Sequence, residues 1–466
     1  MKAVIRRILA LALIPALLSP ILAGCAFSGG EYAPPEPLFA GTRPEGMTVG
    51  MTRPRNIVVM IADGAGYNQF KAASYYRVGA WPDSALMGAS LSLACSTFPE
   101  GGSYDPVRAW SDFSYPPLGA TDSAAAATAI ATGNKTVNGR ISTDASGSPL
   151  ETILETAERA GKMTGIVTSV PLSHATPAAF GAHAASRAST GEIASSLFFD
   201  SRLDVIMGCG NPERDEDGNP RADGALYDWI SRETWDALVA GTAANDRDGD
   251  GDPNAWVLSV DRAEIAALAT VQDFAHVAAI PLVHSTLQQK RSGNAHAGAY
   301  EVPFNDQVPT LAEMALGALN LLSKGANGFA VMIEGGAIDW AGHANQGGRM
   351  IEETSGFLDA VGSVLAWLES SGLRDDTIVI VVADHETGYL LGEGSGLWCG
   401  MIENRGAGRM PDMEWRIARH TNSLVPFFAW GVNAAHFAND IDGFDSRRGW
   451  FIDNTDIGRR IGSMLE

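Results

Sequence analysis

Five short runs of consecutive apolar, largely β-branched residues constrain the fold of this chain more than any other feature. They are Asn56–Ala62 (NIVVMIA), Met163–Thr168 (MTGIVT), Phe329–Glu334 (FAVMIE), Thr377–Ala383 (TIVIVVA) and Pro426–Trp430 (PFFAW). None shows the in–out alternation of a half-exposed strand, so each is expected to be a strand covered on both faces. Helical stretches lie between them, at Asp122–Ala131, Glu151–Ala160, Thr310–Leu322 and Gly347–Leu368. Strands alternating with helices imply an α/β fold, doubly wound around a mainly parallel central sheet with helices on both faces. Ligands in such sheets gather beyond the carboxyl ends of the strands.

Those ends carry a particular chemistry. NIVVMIA is followed by Asp63 and Gly64; FAVMIE ends in Glu334, with Asp339 and His343 soon after; TIVIVVA runs into Asp384 and His385; MTGIVT leads to His174 and Thr176. Any one such acid is most simply a helix cap or a solvated loop residue. Acids and imidazoles at three strand ends together point to cation binding, since these are the donors of zinc and magnesium sites. Asp339 and His343 are four residues apart, so on a helix they share a face and can reach one ion, or simply pair with each other. In Thr121-Asp122-Ser123-Ala124-Ala125-Ala126-Ala127, alanine favours a helix starting near Asp122 and Ser123. Ser123 there is either an N-cap or a hydroxyl beside an anion drawn to the helix N-terminus.

The ordered motifs Ile61-Ala62-Asp63-Gly64, Thr121-Asp122-Ser123-Ala124, His174-Ala175-Thr176-Pro177-Ala178-Ala179, Glu334-Gly335-Gly336-Ala337-Ile338-Asp339-Trp340-Ala341-Gly342-His343, Ala383-Asp384-His385-Glu386-Thr387-Gly388 and His420-Thr421-Asn422-Ser423 resemble the alkaline phosphatase family over residues 55–466. The resemblance implies hydrolysis of phosphate monoesters through a phosphoserine at Ser123, with release of inorganic phosphate. It implies two zinc ions and one magnesium ion. Asp339, His343 and His420 would hold one zinc; Asp63, Asp384 and His385 the other, with Ser123 beside it; Asp63, Thr176 and Glu334 the magnesium. Arg187, thirteen residues after His174, falls where the resemblance places the phosphate-clamping arginine, a planar fork suited to two phosphate oxygens. Asp122, His174 and Trp340 would flank these groups. His174 stands where the best-known bacterial pattern has an acid, and Trp340 where it has a cation. Members of the family commonly pair as homodimers.

The N-terminus reads as an export signal. Lys2, Arg6 and Arg7 precede an apolar run from Ile8 to Ala23, interrupted by Pro15 and Pro20 and ending in Leu22-Ala23-Gly24-Cys25. That run is short for a membrane span, and its end resembles a bacterial lipobox. Residues 1–24 are therefore expected to be a lipoprotein signal peptide and residues 25–52 a tether, with a lipid on Cys25 anchoring an exported periplasmic or cell-surface protein to a membrane. The catalytic domain is expected over 53–466, with insertions near 205–305 and 386–419. Loss of the three leader cations takes the formal charge from −21 to −24, which disfavours nucleic acid as a partner. Cys95, Cys209 and Cys399 allow one disulfide at most and match no zinc-finger spacing. The acidic run Asp246-Arg247-Asp248-Gly249-Asp250-Gly251-Asp252 matches the first half of a calcium loop, but Val257 stands where the twelfth-position acid belongs. It is either a partial calcium site or a solvated turn. A sulfatase would need a Cys/Ser-x-Pro-x-Arg signature, and the segment after Ser123 has neither the proline nor the arginine.

Overall fold

The computed structural model describes residues 43–47, 50–247, 249–273, 276–395 and 399–466. The leader, Cys25 and most of the tether lie outside the described residues, as does Asp248 of the acidic loop. The described end of the tether is docked: Thr52 N donates to Asn433 Oδ1 at 3.1 Å, Asn433 Nδ2 donates back to Thr52 O, and Asn439 Nδ2 donates to Met47 O at 3.1 Å.

Eleven strands form one sheet: β1 (Asn56–Ala62), β2 (Leu91–Ser96), β3 (Met163–Pro171), β4 (Val205–Cys209), β5 (Val257–Ser259), β6 (Val277–Ala279), β7 (Phe329–Gly335), β8 (Thr377–Val382), β9 (Val425–Gly431), β10 (Gly443–Asp445) and β11 (Gly449–Asp453). Their spatial order is β10-β11-β2-β9-β8-β1-β7-β3-β4-β6-β5. The block from β8 to β5 is parallel throughout, while β9 runs antiparallel to both β8 and β2. All five apolar runs are strands, and every residue of β1, β7 and β8 is buried.

The helices that matter for the site are α1 (Tyr67–Val78), α2 (Ser123–Thr132), α3 (Ile153–Arg159), α4 (Ala175–Gly181), α5 (Leu311–Leu322), α6 (Ala337–His343), α7 (Gly347–Ser370) and α8 (Thr455–Leu465). They pack as two groups, α1, α5, α6 and α7 against one another and α2, α3, α4 and α8 against one another. These are the two layers that doubly buried strands require. Capping boxes start α3 (Thr152 with Glu155) and α5 (Thr310 with Glu313), satisfying the first free N–H groups of each.

Residues 205–305, expected as an insertion, carry β4, β5 and β6, which extend the sheet at one edge. The strands there have only three to five residues, too few to stand out as apolar runs. Cys95 in β2 and Cys209 in β4 are buried and unpaired, and Cys399 is also free. No helix among the described residues is long and apolar enough to cross a membrane.

Candidate active site

Register assembles the site. In the parallel block Ile61 pairs with Glu334 and with Val382, and Glu334 pairs with Thr168. The carboxyl ends of β3, β7, β1 and β8 therefore finish level, and the residues leaving them meet above the sheet. Asp63, Glu334, Asp384 and His385 are all fully buried there. Gly64, with φ of 76°, lets the chain turn immediately after Asp63, and its N–H donates to Asp384 Oδ1 at 3.0 Å.

Helix α6 presents Asp339 and His343 on one face, as their spacing requires, and the short strand His420–Thr421 brings His420 to meet them. His343 Nδ1 lies 2.9 Å from Ala418 O, and His420 Nδ1 lies 2.8 Å from Thr121 O. Each Nδ1 thus carries the proton, and the two Nε2 atoms face each other at 2.9 Å, each 3.4 Å from Asp339 Oδ1. Two imidazole lone pairs and a carboxylate aimed at one point need a positive charge between them. Without a metal, a proton on His420 takes that place: burial opposes it, but the bond to Asp339 raises the His420 pKa to about 8. Burial likewise opposes ionisation of Asp339, yet His420, His343 and His385 hold it far below the carboxylate range.

A second group joins Asp63, Asp339 and His385, and a third joins Asp63, Glu334 and His174; within each group one donor atom per residue lies within 4.8 Å of the others. Asp384 Oδ2 adjoins the second, 3.2 Å from His385 Nε2. Thr176 Oγ1 adjoins the third, 3.4 Å from Asp63 Oδ2. The buried atoms Asp63 Oδ1, Glu334 Oε1, Asp384 Oδ2 and His174 Nδ1 have no hydrogen-bond partner. Like charges at this separation repel by roughly 3–4 kcal/mol per pair at an effective dielectric near 20. Burial, then the neighbouring carboxylates, accordingly push Asp63 up and Asp384 up to about 7. Burial is also the main cause that takes Glu334 to about 8, and burial with the Arg187 charge lowers His174 to about 3. Such donors, orphaned and acid-rich, fit resident cations.

Ser123 opens α2, its Oγ 3.2 Å from His385 Nε2. It is the first helical residue and not the cap. That role falls to Asp122, whose Oδ1 accepts from Ala125 N at 3.0 Å. The other Asp122 oxygen accepts from Gly139 N at 3.0 Å and from Arg187 Nη1 at 3.1 Å, so the cap also aims the arginine. Arg187 Nη2 lies 3.2 Å from His174 Nε2, and the His174 ring stands 5.5 Å from that of Trp340.

All thirteen residues singled out in the sequence therefore lie in this neighbourhood. Two hydroxyls escaped that reading: Thr387 Oγ1 donates to Asp339 Oδ1 at 2.5 Å, and Thr168 Oγ1 donates to Glu334 Oε2. Thr387 sits inside a quoted motif, but nothing in a sequence says which carboxylate a hydroxyl will meet. Around the acidic loop, Asp250 Oδ1 accepts from Asp252 N at 2.8 Å, and no cation-binding group of acids is found there among the described residues.

A family model described as alkaline phosphatase matches residues 54–226 and 293–404. Alkaline phosphatase of Escherichia coli K12 is 30% identical over 359 residues, covering 71% of this chain and 70% of its own length. Alkaline phosphatase 4 of Bacillus subtilis is 27% identical over 389 residues, covering 81% of this chain and 69% of its own. The solved alkaline phosphatase of the Antarctic bacterium TAB5 superposes with a TM-score of 0.61 at 23% identity, over 89% of this chain and 99% of that one. The strand-end acids, the helix-borne serine and the ordered match together make this chain a member of the alkaline phosphatase family, a metal-binding enzyme that hydrolyses phosphate monoesters.

Proposed function

We propose that hydrolysis proceeds through a phosphoserine at Ser123, at a site holding two zinc ions and one magnesium ion. The observation that carries this reading is the placement of a buried serine hydroxyl at a helix N-terminus, 3.2 Å from His385 and beside an arginine held by its own cap. Asp339, His343 and His420 would hold one zinc, and Asp63, Asp384 and His385 the second, nitrogen and oxygen sets of the kind zinc takes. Asp63, Thr176 and Glu334 supply oxygen donors for magnesium, with His174 adding a nitrogen beside them. When bound, these cations lower the pKa of coordinated hydroxyls and offset charge on the entering and leaving oxygens.

Ser123 Oγ attacks phosphorus, forming the Ser–O–P bond as the ester P–O bond breaks, and the alkoxide departs as the alcohol, taking up the proton the serine hydroxyl gives up. Water then attacks the phosphoserine, restoring the hydroxyl and releasing inorganic phosphate. Arg187 turns its two terminal nitrogens toward the non-bridging oxygens, and the unpaired N–H groups and dipole of α2 favour negative charge at the same place. Little else of the substrate is gripped, so broad monoester specificity is expected. Export, with a lipid on Cys25 as membrane anchor, and pairing of two copies complete the reading.

Ser123→Ala should lower kcat by at least about a thousandfold with metal content nearly unchanged, and acid quenching should trap labelled phosphate on the wild-type serine only. Normal turnover in that variant would rule out the serine route. A chelator should abolish activity, and zinc with magnesium should restore it.

A further inference from the structure

An open cleft of about 570 Å³ lies against the Asp339–His343 side of the site and is lined also by Arg187, Lys290 and Trp340. With Ser123 attacking from beside His385, an in-line displacement puts the alcohol half of the substrate on the opposite, Asp339–His343 side. Three cations border the cleft, and two are committed. Arg187 is held by Asp122 and serves the phosphoryl group. Arg291 is buried and paired with Glu352 at 2.9 Å. Lys290 is different. Its side chain is 43% exposed, and the nearest carboxylate oxygen, Glu216 Oε1, is 3.8 Å away, beyond hydrogen-bonding distance. Glu216 is itself taken up by Ser285, whose Oγ donates at 2.6 Å and whose N–H donates at 3.1 Å.

What places the Lys290 ammonium is the Trp340 ring, whose centroid lies 4.6 Å from Nζ, a cation–π distance. Trp340 follows Asp339 directly, so the ammonium stands over the entrance used by the leaving alcohol. Lys290 belongs to residues 227–292, between the two blocks that match the family model. A protein of formal charge −21 repels anions at long range, which makes a half-exposed cation at the cleft, paired only at 3.8 Å with Glu216, the more significant.

We propose that Lys290, presented on Trp340, forms a leaving-group subsite selective for phosphate monoesters whose alcohol half carries a second anionic group, a carboxylate or a further phosphate. This rests on catalysis at the Ser123 site. The test is a matched pair, phenyl phosphate and 4-carboxyphenyl phosphate, assayed with the metal-loaded wild-type enzyme, Lys290→Gln and Glu216→Gln. The ratio of kcat/KM for the carboxylated over the plain ester should fall about fivefold in Lys290→Gln, the size of one partly exposed charge pair, mainly through KM. It should rise in Glu216→Gln, where the competing carboxylate is gone. Salt at about 0.5 M should erase both differences. An unchanged ratio in Lys290→Gln, or an equal loss on both esters, overturns the subsite while leaving the phosphatase reading intact. Failure of the wild-type enzyme to hydrolyse phenyl phosphate overturns that reading and the subsite with it.

Discussion

Thr387 shows how a hydroxyl without chemistry of its own governs the site. By donating to Asp339 Oδ1 at 2.5 Å it fixes the carboxylate that both His343 and His420 approach. Outer partners of this kind change metal affinity by about 10–100-fold. Thr387→Val should therefore weaken zinc binding by that order, read by titration of the metal-free protein, while the fold persists. Asp122 couples two tasks, capping α2 and holding Arg187. Asp122→Ala should cost about 1 kcal/mol of stability from the lost cap. It should also raise the inhibition constant for inorganic phosphate several-fold, because the arginine is no longer aimed.

At the level of elements, the turn after β1 and helix α6 touch at a single glycine. A Cβ on Gly64 would meet Asp339 Cα at 2.7 Å and Thr387 Oγ1 at 2.9 Å, in a backbone with φ of 76°. Both faults act together, so Gly64→Ala should destabilise by about 2–4 kcal/mol and shift α6 away from β1. The measurement is a melting curve with and without zinc, and the gain from zinc should shrink in the variant. Strand register has the same consequence on a larger scale. Ile61, Glu334 and Val382 finish level, and slippage by one residue would turn Glu334 to the opposite face of the sheet.

Over the whole molecule, the buried acids set the pH response of the metal-free protein. Asp384 at about 7 and Glu334 at about 8 keep protons in the folded state that the unfolded chain releases near pH 4. His420, raised to about 8, does the same relative to an unfolded value near 6.5. Native protein then binds more protons than unfolded protein, so stability falls as pH rises through these values. His174 and His385, held neutral by burial, act in the opposite sense only below about pH 6.5. Lys71, lowered by burial to about 7, opposes the fall above that value, and it is outnumbered by the raised acids, which include Glu353 at about 8 and Glu158 and Asp456 at about 7. Chelator-treated protein should thus melt at a lower temperature at pH 8.5 than at pH 6.5, and zinc plus magnesium should remove that loss. A flat apo profile over this range would contradict the site electrostatics.

The sequence by itself determined the central strands, because runs buried on both faces must be continuously apolar; Asn56–Ala62, Phe329–Glu334 and Thr377–Ala383 formed almost to the residue, and the run from Met163 continues three residues further, to Pro171. It also marked the acids at their ends, since acids and imidazoles at three strand ends together point to cation binding where any one alone would not. The short edge strands Val257–Ser259 and Val277–Ala279 left no comparable trace, as three residues carry too little pattern to separate from a loop. Only tertiary structure decided which donors share a cation, that Asp122 holds Arg187, and that Lys290 stands over Trp340. Those contacts join residues tens to hundreds of positions apart, and packing and register, which no local pattern encodes, set them within a few ångströms.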